Sequence, residues 1–116
     1  MSENVPFTSS KLLVVVTSLP STETAKAMAR VLVEQNLAAC VQLTEGIQSI
    51  YRWEGKVCEE QEVLLSAKTI EAKWLEILAF IQSAHPYDLP EILAFSPEQH
   101  ERQYGAWVES EVNSKS

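Results

Sequence analysis

The apolar run Leu12-Leu13-Val14-Val15-Val16 shows no polar alternation, and a run of this kind reads as a central strand covered on both faces, over Lys11 to Thr17. Ser18 to Ser21, with Pro20, breaks it. Ala25, Met28, Ala29 and Leu32 then recur at helical spacing, behind Ser21 as an N-cap and Glu23 in the first turn. Asn36 suits the end of that helix, and Ala38 to Leu43 predicts a second strand with Cys40 inside it. From Ile47 to Trp53 the pattern alternates, Ile47, Ser49, Tyr51 and Trp53 opposing Gln48, Ile50 and Arg52. Glu54-Gly55-Lys56 predicts the turn of a long hairpin, whose return strand runs from Val63 to Lys68.

A second helix is expected from about Glu71 to Gln82, with Trp74, Leu78 and Ile81 on one face, and Pro86 prevents its continuation. Glu91 to Phe95 reads as a short strand. Ser96-Pro97-Glu98-Gln99 carries the cap, first-position proline and Gln of a helix start, before Tyr104, Trp107 and Val108. The order is strand, helix, strand, long strand, helix, strand and an added helix. That is an α+β chain of the ferredoxin-like split β-α-β type with a long β-hairpin and an extra C-terminal helix. One domain is expected over residues 11–112, between a flexible N-terminal segment 1–10 and a flexible tail 113–116. Such a sheet leaves one face open, and Tyr51 and Trp53 lie on an arm too long for one small core to cover, so the pattern predicts assembly with further copies. Periodicity alone does not separate a dimer from three-fold closure.

The 116 residues and 46% hydrophobic content supply one modest core. Sixteen acidic against nine basic residues, a formal charge of -7, repel phosphate backbones and anionic lipid, so neither nucleic acid nor a membrane surface is an expected partner. Runs such as Leu12–Val16 are too short to span a bilayer or to serve as a secretory core, which makes the cytoplasm the expected compartment. Cys40 and Cys58 lack zinc-type spacing and are expected as free thiols.

The richest stretch for chemistry is His85-Pro86-Tyr87-Asp88-Leu89-Pro90-Glu91-Ile92, where an imidazole, a phenol and carboxylates sit on backbone stiffened by two prolines. His85 is either a nitrogen ligand or a helix-end group bonded to a carbonyl. Glu91 either ligates or orients an ion, or pairs with Lys68 across strands. Cys40 is a small hydrophobe in an apolar strand or a soft metal ligand. Lys68, closing an apolar strand, needs a carboxylate or an anionic ligand. Nothing assembles a nucleophile, base and orienting acid, and neither His falls in an HxH or HExxH pattern.

The segments Leu37–Val41, Ser49–Gly55, Glu62–Lys68, His85-Pro86-Tyr87 with Pro90-Glu91-Ile92, and Tyr104 with Trp107 together resemble the CutA family of divalent-cation tolerance proteins, over roughly Leu13 to Trp107. The resemblance implies a cytosolic homotrimer of ferredoxin-like subunits, with no reaction attached. It implies weak binding of Cu(II) or another divalent cation, with His85, Glu91 and Cys40 as metal candidates. Lys68 and Tyr104 then fall at a cleft between subunits, and the rival expectation is a scaffold or sensor taking a small anion there, with only indirect metal effects. The chain departs from the family pattern at His100, where a glycine is usual, and Cys58 lies outside the shared motifs.

Overall fold

The computed structural model describes residues 10–113. The elements are β1 (Leu12–Leu19), α1 (Thr22–Glu34), β2 (Cys40–Trp53), β3 (Lys56–Ile70), a 3-10 turn (Glu71–Lys73), α2 (Trp74–Ala84), β4 (Leu93–Phe95) and α3 (Arg102–Asn113). The four strands form one antiparallel sheet in the order β2-β3-β1-β4, as the split β-α-β reading requires. The expected terminal segments lie outside the described residues except for Ser10 and Asn113, and Ser10 Oγ accepts the Ala72 N–H at 3.0 Å.

Strand alternation assigns the two faces. Leu13, Val15 and Leu19 of β1 and Val63, Leu65 and Ala67 of β3 point to the helices, where they pack with Ala25, Met28 and Leu32 of α1 and Ile77 and Ile81 of α2. The other face carries Val14, Val16, Leu64, Ser66 and Lys68, all only half-covered. One end of this open face is closed by α3, whose Val108 and Val112 pack on Ile70 with Leu12 and Ala39 alongside.

The caps of α1 follow the sequence. Ser21 Oγ accepts the Thr24 N–H at 3.1 Å. Asn36 takes the left-handed conformation at φ 58°, and the Leu37 and Asn36 N–H groups donate back to the carbonyls of Leu32 and Val33 at 2.9 and 3.1 Å, a Schellman ending with Asn in the place usually held by Gly. The hairpin turn places Glu54 and Gly55 both at positive φ, which matches the twist of the paired strands.

Three expectations need correction. The segments Ala38–Leu43 and Ile47–Trp53 are one strand, joined through an irregularity between Thr44 and Ile47 where Gly46 has φ 76°. The return strand is far longer than Val63–Lys68, because Lys56–Glu62 pairs along the whole arm and stretches the molecule to 58 Å. Helix α3 does not start at Ser96. Ser96 donates its hydroxyl to the Leu12 carbonyl at 3.1 Å, tying down the end of β4, and the helix begins at Arg102, where Glu101 Oε1 accepts the Tyr104 N–H at 2.7 Å. That bond, followed by one from the Gln103 N–H, holds the Glu101 carboxyl below the usual carboxylate range. His100 lies over Gly105, where a Cβ would come within 2.4 Å of the imidazole, so the ring occupies space that only glycine leaves.

Leu65, fully buried at the centre of the helix-facing layer, is expected to cost about 2–5 kcal/mol when cut to Ala. Gly46→Ala meets no atom within 4 Å, so its penalty comes from φ alone, about 1–2 kcal/mol. Urea unfolding of both variants checks the ranking, and equal losses would contradict the assignment of the bulge as a purely conformational site.

Candidate functional site

Beyond the bulge, β2 and β3 leave the body of the protein as a two-stranded arm, with Ile47 opposite Glu62, Ser49 opposite Glu60 and Tyr51 opposite Cys58. These pairs, with Trp53, lie on the open side of the sheet. The segment after α2 folds back against them. Ala84 ends the helix, His85 is extended at φ -74° and ψ 138°, as the following Pro86 demands, and Tyr87 to Glu91 form a wall facing the arm. Between wall and arm is a cleft of about 720 Å³. Its floor includes Ser49, Tyr51, Trp53, Glu60 and Glu62, and its wall includes Tyr87, Asp88 and Glu91. Among the described residues no Lys or Arg lines it.

One buried hydrogen-bond chain sets the wall. The Tyr87 N–H donates to His85 Nδ1 at 3.2 Å, which makes Nδ1 an acceptor and leaves the ring proton on Nε2, where it donates to the Ser18 carbonyl at 2.8 Å. Both nitrogens of His85 are therefore engaged within the chain. The Tyr87 hydroxyl donates to Glu62 Oε2 at 2.6 Å, and its ring lies 4.9 Å from that of His85. Desolvation first, then the Glu62 carboxylate, push the Tyr87 phenol well above its ordinary value.

The five residues singled out from sequence fall into two groups. His85 and Glu91 belong to the hairpin end of the sheet. Cys40 and Lys68 face each other across β2 and β3 at the opposite end, and Tyr104 of α3 lies near Cys40. Lys68 is six steps along β3 from Glu62, about 20 Å of strand, so Cys40 cannot share an ion with Glu91 inside one chain. Among the described residues no three His, Cys, Asp or Glu side chains converge to hold a metal. The pairing of Glu91 with Lys68 does not form. Lys68 Nζ donates instead to Gln42 Oε1 at 2.7 Å, a neutral acceptor in place of the expected carboxylate. Cys40 and Cys58 are both free and half-buried.

Glu62, Glu60 and Asp88 were not among the candidates from sequence. The available signal was the spacing of Glu60 and Glu62, two apart on one strand and so on one face, but it meant nothing until Tyr87 was brought over them. A second groove, about 710 Å³ between α1 and β2, is lined by Lys26, Arg30, Val33 and Val41 among others and contains none of the candidate residues.

A family model described as "CutA1 divalent ion tolerance protein" matches residues 13–111. The chain is 42% identical over 95 residues to the divalent-cation tolerance protein CutA of Thermus thermophilus, a match covering 82% of this chain and 92% of that one. It is 41% identical over 97 residues to human protein CutA, covering 84% of this chain and 54% of the human protein. It thus spans about half the length of the human relative. The solved structure of the Thermus thermophilus protein superposes with a TM-score of 0.84 at 40% identity, covering 86% of this chain and 97% of that one. CutA1 from Ehrlichia chaffeensis gives 0.87 at 26% identity, covering 92% and 100%. Compartments differ among relatives: the Arabidopsis thaliana protein is named as chloroplastic and the Archaeoglobus fulgidus protein as periplasmic.

Tyr87→Phe removes the only hydrogen bond that the described residues give to the buried Glu62 carboxylate and is expected to cost about 1–3 kcal/mol in urea unfolding. A loss below about 0.5 kcal/mol would mean that water replaces the phenol without penalty. All three tyrosines, Tyr51, Tyr87 and Tyr104, are shifted upward, each by desolvation first. A raised folded value means that stability is fully present below about pH 10, where the unfolded phenols begin to ionise, and is lost as pH rises through the folded values. Absorbance at the tyrosinate band should therefore show the folded protein ionising later than the urea-unfolded chain, and coincident curves would contradict the shifts.

Proposed function

Because the chain belongs to the CutA1 divalent ion tolerance family, we propose that it acts as a cytoplasmic homotrimer that binds divalent cations weakly, Cu(II) among them, and responds to metal ions without catalysing a reaction. The observation that carries the reading is the hairpin-end cleft, where Glu91 stands with Glu60, Glu62 and Asp88 and, among the described residues of one copy, no basic side chain forms part of the lining. A single chain is an incomplete centre. It offers no convergent trio of donors, and both nitrogens of His85 are already bonded. Donors from two subunits are needed, so the Cys40 end of one copy meets the Glu91 end of the next.

Assembly is supported by what one copy leaves uncovered. Among the described residues nothing pairs with the outer edges of β2 and β4, and an exposed strand edge invites another chain. Leu93, Phe95, Tyr104 and Trp107 stand exposed on or beside the open face. Two unlike edges on opposite sides of a sheet suit head-to-tail closure into a ring, and the resemblance to the family favours three copies in it. His85 in this reading positions the wall through Tyr87 and Ser18. The rival reading, a small anion at Lys68, draws on the ammonium group, which the Gln42 amide hydrogen-bonds but leaves charged.

Light scattering at micromolar concentration is expected to report three chains. Calorimetric titration with Cu(II) should show weaker binding for Glu91→Gln and for His85→Ala than for the native protein, with His100→Ala as the control for adventitious surface binding. A stable monomer would overturn the assembly, and unchanged affinity in both the Glu91 and His85 variants would remove the cleft from the metal site.

A further inference from the structure

Lys68 and Glu91 each lack, inside one chain, the partner that their charge calls for. The Lys68 ammonium is half-buried on the open face, and its hydrogen-bond acceptor is the neutral amide of Gln42 at 2.7 Å. An amide oxygen accepts the N–H but supplies no opposite charge, so an ammonium partly withdrawn from water there is short of a carboxylate. At the other end of the sheet Glu91 stands exposed on the cleft wall with Asp88, and the ion pairs among the described residues do not include it. About 20 Å of strand between the two ends keeps Lys68 and Glu91 from meeting within one copy.

The two residues also belong to opposite edges of the sheet. Gln42, which holds Lys68, is on β2, the outer strand at one edge. Glu91 comes two residues before Leu93, which opens β4, the outer strand at the other edge. When the β2 side of one copy meets the β4 side of the next, the ammonium and the carboxylate arrive at one boundary. Leu93 and Phe95 are 49% and 55% exposed and face the same side as Val14 and Val16, so apolar surface is available beside Glu91 to exclude water from that boundary. Contacts between like edges have the reverse effect. Two β2 sides bring Lys68 toward Lys68, and two β4 sides bring Asp88 and Glu91 toward their own copies, so charge favours the joining of unlike edges.

We propose that the open face docks a second copy of this chain through an ion pair between Lys68 of one copy and Glu91 of the next, and that this pair selects which edges join. The inference rests on the assembly proposed above and names the groups that make its contact specific. Lys68 carries three N–H donors, so its bond to Gln42 and one to a carboxylate coexist. The pair that the sequence suggests within one chain thus forms between chains. A divalent cation entering the cleft competes with this ammonium for Glu91, in keeping with weak binding there.

The test is a charge-reversal cycle on the full chain. Lys68→Glu, Glu91→Lys and the double variant are compared with the native protein by light scattering over a dilution series, at a urea concentration that half-dissociates the native assembly. Each single reversal is expected to raise the concentration at which the copies separate by about tenfold or more, and the double variant to return within about threefold of native. Lys68→Gln and Glu91→Gln form a milder second cycle in case a reversed charge prevents folding. Combined, they are expected to lose no more than either alone, because the first change already breaks the pair. Additive losses in the cycle that folds, or single variants that dissociate like the native protein, would overturn the pair. Either result with three native copies still counted leaves the assembly standing, whereas a native monomer overturns both, so the two readings fail distinguishably.

Discussion

Between Thr44 and Ile47, β2 carries one residue more than β3 opposite it, and because side chains alternate with a period of two, that extra residue reverses the facing of everything beyond. Before the bulge, Cys40, Gln42 and Thr44 share the open face with Lys68, Ser66 and Leu64. After it, Ile47, Ser49 and Tyr51 share that face with Glu62, Glu60 and Cys58. With the regular register carried on from Thr44, Tyr51 and Trp53 would project to the helix side, and Gln48, Ile50 and Arg52 would take the open face. The bulge thus sets the charge and aromatic character of the cleft, and Gly46 at φ 76° is the residue that lets the backbone make it.

The wall of the cleft depends on β1 as much as on its own sequence. Ser18 offers the carbonyl that fixes His85, His85 fixes the Tyr87 N–H, and Tyr87 reaches Glu62. Each bond is modest by itself, but together they hold an irregular segment against two strands that are distant from it in sequence. Pro86 and Pro90 reduce the conformational freedom that these bonds must overcome. The same chain of contacts occupies the imidazole that family resemblance marks as a ligand. A residue can therefore belong to a shared motif because it holds the site together, without touching what the site binds.

One copy of the chain has an open sheet face and, among the described residues, two unpaired sheet edges. Its core is adequate on the helix side, where Val15, Leu65, Ile77 and Ile81 are fully covered. On the other side, Phe95, Tyr104 and Trp107 remain in water, and Lys68 relies on a neutral amide. The candidate residues are divided between the two ends of this face, so a function that needs them all has to be a property of the assembly.

The layers of the fold were legible in the chain, because they rest on local rules. Unbroken apolarity marked β1, helical spacing and the Ser21 and Asn36 caps bounded α1, and Glu54-Gly55 turned the hairpin. The sequence also singled out His85-Pro86-Tyr87 as a built segment. It misplaced the start of α3, since Ser96 has two uses for its hydroxyl and a cap signal does not tell which one tertiary contact selects; here Ser96 bonds Leu12 and Glu101 takes over the cap. The facing of Tyr51 and Trp53, the burial of Glu62 beneath Tyr87, and the separation of Cys40 and Lys68 from Glu91 were decided only by the tertiary structure. They depend on a one-residue mismatch between paired strands and on contacts between residues up to 67 positions apart. Local pattern carries no record of either.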